Sequence, residues 1–220
     1  TTRLVGSEMC IRDRFAALAR ELAENEFWSK EGKELFRANV VKRMQDVEFC
    51  ASLILLYKRG IIDQQTDKAL NDAYRDYESN YDDADKDRNA VLKAMELVDK
   101  FICDKTLPFL RRTSQLYTLF SVVFYIMSKN KTISDKEVKK FYAFVDIYDK
   151  FKNEENVTLD LSLEERNLYD LFKKYKQASS EGTRKLINRM ARFDVLKHFL
   201  LEDDSTDELV SSLCEKLEKM

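Results

Sequence analysis

Apolar residues recur along this chain at intervals of three and four, the spacing that lays them on one face of a helix. Phe15, Leu18, Ala19, Leu22 and Phe27 make the first such stripe, running to Trp28. After a break at 29–32 and a short segment from Leu35 to Val41, a helix is predicted from Arg43 to Arg59. Gly60 stops it behind the basic pair Lys58 and Arg59. The next predicted helix, Gln64 to Tyr81, carries Leu70, Tyr74 and Tyr77, and an acidic loop from Asp82 to Asp87 follows. Val91, Met95, Val98 and Ile102 form a stripe that ends near Pro108. From Leu116 to Met127 every position is apolar except Thr118 and Ser121, so the helix predicted over 113–128 is apolar on all sides. That marks a central core helix. Crossing a bilayer takes about 20 apolar residues, and this run is flanked by charge well before that length.

Two later helix starts carry capping boxes. Ser134 and Glu137 precede Val138, Phe141, Tyr142, Val145 and Tyr148, while Ser162 and Glu165 precede Leu168, Leu171, Phe172 and Tyr175. In each, the hydroxyl accepts from an orphan backbone N–H and the glutamate reaches back. Thr183 is placed to cap a further helix bearing Leu186, Met190, Phe193 and Phe199, and Ser205 to Leu217 fits a last one. The pattern predicts an all-α bundle of eight to nine helices packed antiparallel around 113–128. It forms one domain over 15–220, with Asn153 to Asp160 the one plausible point of subdivision.

Composition agrees with helices and narrows the chemistry. Four glycines and one proline in 220 residues leave little room for the turns of a sandwich or barrel. Forty acidic against 38 basic side chains give a formal charge of −2, which argues against a general nucleic-acid coat. Cys10, Cys50, Cys103 and Cys214 are widely separated, without metal-ligand spacing, and read as reduced structural thiols of a cytoplasmic protein. With His198 as the one histidine, a zinc site or a histidine-based triad has almost nothing to be built from. His198 itself reads as a partly buried ring in a local hydrogen bond. The phosphate-loop, dinucleotide and zinc-protease motifs do not occur. The first fourteen residues, Thr1 to Arg14, resemble a translated sequencing adapter and are expected to be foreign, with the natural N-terminal portion lying upstream of Phe15.

Three charged groupings carry the remaining candidate chemistry. Arg43 and Asp46, three apart beside Glu48, can pair on one helical face, either as a structural ion pair or as part of an interface. Lys185, Arg189 and Arg192 recur at i, i+4 and i+7, a basic stripe that would either contact DNA phosphates or form a solvated face balanced by Glu202, Asp203 and Asp204. Lys129, Lys131, Lys136, Lys139 and Lys140 form a second basic cluster with the same two readings.

Four segments together resemble a known family. They are Phe15-Ala-Ala-Leu-Ala-Arg-Glu-Leu-Ala-Glu-Asn-Glu-Phe-Trp28, Lys42-Arg-Met-Gln-Asp-Val-Glu-Phe49, Gly60-Ile-Ile62 and Tyr74-Arg-Asp-Tyr-Glu78. They look like the helical region that accompanies the ParB/sulfiredoxin-like N-terminal domain of GmrSD-type modification-dependent restriction endonucleases. The family's Asp-Gly-Gln-Gln-Arg motif, associated with nucleotide hydrolysis, is absent from this chain. The resemblance implies a chain without catalytic, cofactor or metal residues of its own, belonging to a nucleotide-dependent DNA-restriction or phage-defence protein. The nucleotide would be used by the missing N-terminal domain, and a His-Asn-His nuclease domain or subunit would cut the DNA. Under it Phe27, Trp28, Arg43, Met44, Asp46 and Glu48 are expected to pack against that missing domain, leaving apolar surface exposed on the first two helices. The rival expectation is a self-contained helical module that binds a partner through an apolar groove.

Overall fold

The computed structural model describes residues 14–36, 44–77, 81–151, 160–202 and 207–218. Among them lie ten α-helices: α1 (Arg14–Ala23), α2 (Gln45–Arg59), α3 (Lys68–Asp76), α4 (Ala84–Asp99), α5 (Leu107–Leu110), α6 (Thr113–Ser128), α7 (Asp135–Lys150), α8 (Leu163–Ser180), α9 (Leu186–Leu201) and α10 (Asp207–Glu218). A 3-10 turn over Glu26–Trp28 follows α1, started by the Asn25 side chain accepting from Phe27 N–H. The described residues form the predicted all-α bundle, with ten helices rather than eight to nine because the four-residue Leu107–Leu110 turn is a separate one.

α6 is the axis, as its apolar pattern requires. Leu116, Leu119, Phe120, Val122 and Val123 are all buried on it. On one side it packs against α2 and α4, and α1 and α3 complete that half. On the other it packs against α9, which lies on α7 and α8, and α10 packs on those two. Its three buried polar side chains, Gln115, Thr118 and Ser121, are all satisfied: Thr118 and Ser121 donate to the Ser114 and Tyr117 carbonyls one turn back. Gln115 instead receives the Tyr175 hydroxyl at 2.5 Å and donates to the Tyr148 hydroxyl at 3.3 Å, tying α6 to α8 and α7.

Both capping boxes form, at Ser134/Glu137 and Ser162/Glu165. Several boundaries differ from expectation for local reasons. α3 begins at Lys68 rather than Gln64, because Gln64 N–H donates to the Arg184 carbonyl and Asp63 turns back onto Gln65. The acidic loop is shorter than predicted: Asp85 and Asp87 belong to the first turn of α4, where negative charge suits the helix dipole. The stripe to Ile102 likewise breaks at Asp99, leaving Cys103 half-buried in a turn held by Thr106 rather than inside a helix. Thr183 caps nothing, since Lys185 is the N-cap of α9. Cys10, Arg43 and most of 153–160 lie outside the described residues, as do residues 1–13 of the adapter-like segment.

Candidate functional site

Phe27 and Trp28 are core residues of this chain. Trp28 donates its indole N–H to the Leu22 carbonyl at 2.7 Å, stacks on Phe36 and meets Phe49 edge-on, and Phe27 meets Phe120 of α6. Leu18, Leu22, Phe27 and Trp28 are each 5% exposed or less, so the expected apolar surface on the first helices is absent. Their hydrophobic demand is met by α2 and α6. Asp46 is also buried, its Oδ1 accepting from Val47 N–H in the first turn of α2. Glu48 reaches instead to Arg184 at 2.8 Å, an ion pair that ties the start of α2 to the loop before α9. Met44 alone of the described members of this group is exposed, and it holds a left-handed backbone at φ 55°. The Arg43–Asp46 pairing falls outside the described residues.

The basic stripe is not on the surface. Arg189 and Arg192 are buried, at 6% and 0% exposure, and of the three only Lys185 is exposed. Arg192 donates from Nε to Thr118 Oγ1, and from its two Nη atoms to the carbonyls of Ala178 and Thr183. It thereby fastens α9 to α6, to the end of α8 and to the loop between them. Arg189 donates to the Ile62 carbonyl at 3.0 Å and to Gln64 Oε1 at 2.7 Å, and its guanidinium lies 4.0 Å from the centre of the Tyr117 ring. Burial pulls both guanidinium groups below the ordinary arginine range, with the Tyr117 hydroxyl opposing at Arg189 and Tyr175 opposing at Arg192.

The consequence is a helix whose first half is turned inside out. While Arg189 and Arg192 point inward, Leu186, Ile187 and Met190 face solvent, Ile187 at 74% exposure. The apolar stripe expected through Leu186, Met190 and Phe193 therefore holds only beyond it, where Val195, Leu196, Phe199 and Leu200 are buried. What stabilises the inversion is the polar lining beneath: three carbonyls, a threonine hydroxyl, a glutamine and an aromatic face.

Two concave surfaces flank this inverted segment. On the outside, a groove of about 760 Å³ runs between α2, α4, α6 and α9, walled by Tyr57, Phe124, Tyr125, Met127, Met190 and Phe193. On the inside, a polar cavity of about 130 Å³ is bounded by the starts of α2 and α6, by Gln64 and by Arg184, Arg189 and Arg192. Sequence reasoning missed both. The signal available was the coincidence of arginine at 189 and 192 with isoleucine and methionine at 187 and 190 on one helix.

Lys129, Lys131, Lys136 and Lys139 are exposed, and His198 meets Glu202 one turn on, Nδ1 to carboxylate 3.1 Å. Among the described residues no cluster of three or more histidine, cysteine or acidic side chains is spaced to hold a metal ion. No helix among them is long and apolar enough to cross a membrane. The chain matches no protein-family model, no curated protein and no solved structure.

Proposed function

We propose that this chain is the non-catalytic helical portion of a GmrSD-like, nucleotide-dependent DNA-restriction or phage-defence protein, and that it holds the nucleotide-hydrolysing domain through the groove beside α9. The parent assignment rests on the four sequence segments that resemble that family. One observation carries the mechanical role: a helix that buries two arginines while exposing Leu186, Ile187 and Met190 beside a wide apolar groove. Met190 lines that groove, and exposed apolar side chains at the edge of an apolar groove are what a docking partner covers. The docking face thus moves from Phe27 and Trp28, which the core already uses, to Met190 and the half-buried Phe193 and Tyr125 beside it. DNA contact through Arg189 and Arg192 is no part of this reading, because both guanidinium groups are enclosed.

The rival, a self-contained module that takes an amphipathic helix from a separate protein, uses the same groove. One titration separates them. The domain bearing the Asp-Gly-Gln-Gln-Arg motif, supplied in trans, is expected to bind the chain, and Met190→Lys with Ile187→Lys is expected to weaken binding at least about tenfold while leaving the melting temperature within about 2 °C. Absence of binding, or binding that the double variant leaves intact, rules the proposal out and leaves the rival.

A further inference from the structure

The polar cavity on the inner side of α9 has a chemistry of its own. Burying a charge is costly unless it is paired, and buried arginines ordinarily meet carboxylates. Here Arg192 spends its three nitrogens on neutral oxygens, and Arg189 lies over the Tyr117 ring and hydrogen-bonds to a carbonyl and an amide oxygen. A guanidinium carries five N–H donors, so the two bonds of Arg189 leave donors unspent. Among the described residues Glu48 is the one carboxylate lining the cavity, and Arg184 pairs with it at 2.8 Å. Asp63, not itself in the lining, acts on Arg189 through space but spends its two oxygens on the Gln65 and Leu186 N–H groups, so three arginines face one lining carboxylate.

A second observation is independent of charge. Gln64 and Tyr117 both line this cavity and are both more than nine-tenths buried. Their Nε2 and Oη atoms have no hydrogen-bond partner among the described residues. Orphaned buried polar atoms are rare, and two donors at one cavity call for an acceptor. The third wall is the first turn of α6, where Thr113 and Ser114 line the space and no side chain caps the helix start. Uncapped N–H groups and the positive end of the dipole favour an anion there.

We propose that this cavity binds a tetrahedral oxyanion, a phosphoryl or sulfate group, between Arg189, Gln64 Nε2, Tyr117 Oη and the start of α6. Its volume equals about four water molecules at about 30 Å³ each. That accommodates one such group and falls well short of the several hundred Å³ typical of pockets for whole organic ligands. A larger ligand would insert only its phosphoryl end. The bound anion would complete the pairing of the buried arginines and lock the start of α9 against α2 and α6. This site stands apart from the docking groove, so either can fail without the other.

Calorimetric titration of the chain with inorganic phosphate, then sulfate, at fixed ionic strength tests it. A single saturable site is expected, with a phosphate-dependent rise in melting temperature that chloride does not reproduce. Tyr117→Phe and Gln64→Met should each weaken phosphate binding by about tenfold. Tyr117→Phe should leave the unliganded melting temperature unchanged or higher, because it removes an unpartnered buried polar atom, whereas Gln64→Met should lower it by also removing the Oε1 acceptor of Arg189. Glu48→Gln should tighten binding by removing the cavity's one negative charge and releasing Arg184. Titration with a nucleoside monophosphate distinguishes the source: tighter binding than inorganic phosphate indicates a phosphoryl group borne on a larger molecule, and weaker binding indicates the free anion. Absence of a saturable phosphate or sulfate isotherm overturns the proposal. So does binding that Tyr117→Phe and Glu48→Gln leave unaltered.

Discussion

Arg192 shows how one side chain can organise several elements. Its guanidinium satisfies the Ala178 and Thr183 carbonyls and Thr118 Oγ1 at once, without exposure to solvent. Replacing it with methionine keeps the apolar stem but orphans three acceptors, and a loss of about 3 kcal/mol is expected by urea denaturation. Lysine should not rescue it, because a point ammonium cannot span three acceptors set apart by a planar fork. Glu165 is the acidic counterpart. Beyond closing the box with Ser162, its carboxylate accepts from Ser212 Oγ at 2.6 Å and pairs with Lys216 at 2.7 Å, joining α8 to α10. The Lys216 ammonium, then the Ser212 hydroxyl and the Ser162 N–H, hold its pKa down from 4.5 to about 2. A depressed carboxyl pKa stabilises fully above the unfolded value, and that stability is lost as pH falls from 4.5 towards about 2. Glu165→Gln should therefore cost about 2 kcal/mol at neutral pH. The gap between variant and wild type should close across that acid window, as read from urea midpoints. The box at Ser162 was legible from spacing alone, whereas Ser212 and Lys216 were not, because nothing local in a sequence reports which later helix returns to it.

The helices themselves were legible wherever one physical rule governed a whole segment. The stretch from Leu116 to Met127 is apolar on every side, so burial was its single outcome, and it lies at the centre of the bundle. α9 obeyed no single rule. Its arginines carry long apolar stems and terminal donors, so a polar lining could accept them while Ile187 and Met190 turned outward. Reading charge as surface inverted that face. The seam between α7 and α8 offers a further test of buried charge. Lys176 sits over the Tyr148 ring at 3.7 Å, and burial, with Arg112 nearby, pulls its pKa from 10.5 to about 8. Between those values the unfolded chain binds a proton the folded one does not, so stability rises with pH across the window. Lys176→Met should be more stable than wild type at neutral pH by about 1 kcal/mol or less, since part of the penalty is offset by the ring contact. That advantage should vanish towards pH 10.5, followed as melting temperature against pH.

At the scale of the molecule, the account turns on where apolar surface is closed and where it is left open. The first helices are closed: Phe27 and Trp28 belong to an aromatic cluster with Phe36, Phe49 and Phe120. The open surface is the groove at α9, and the proposed docking of a nucleotide-hydrolysing domain follows from it. Hydrogen–deuterium exchange on the chain, alone and mixed with the Asp-Gly-Gln-Gln-Arg domain, addresses this most directly. New protection is expected at residues 186–193 and 121–128, with residues 15–28 unchanged because their apolar side chains are already buried. Protection that falls instead on residues 15–28, or on none of these segments, would contradict it.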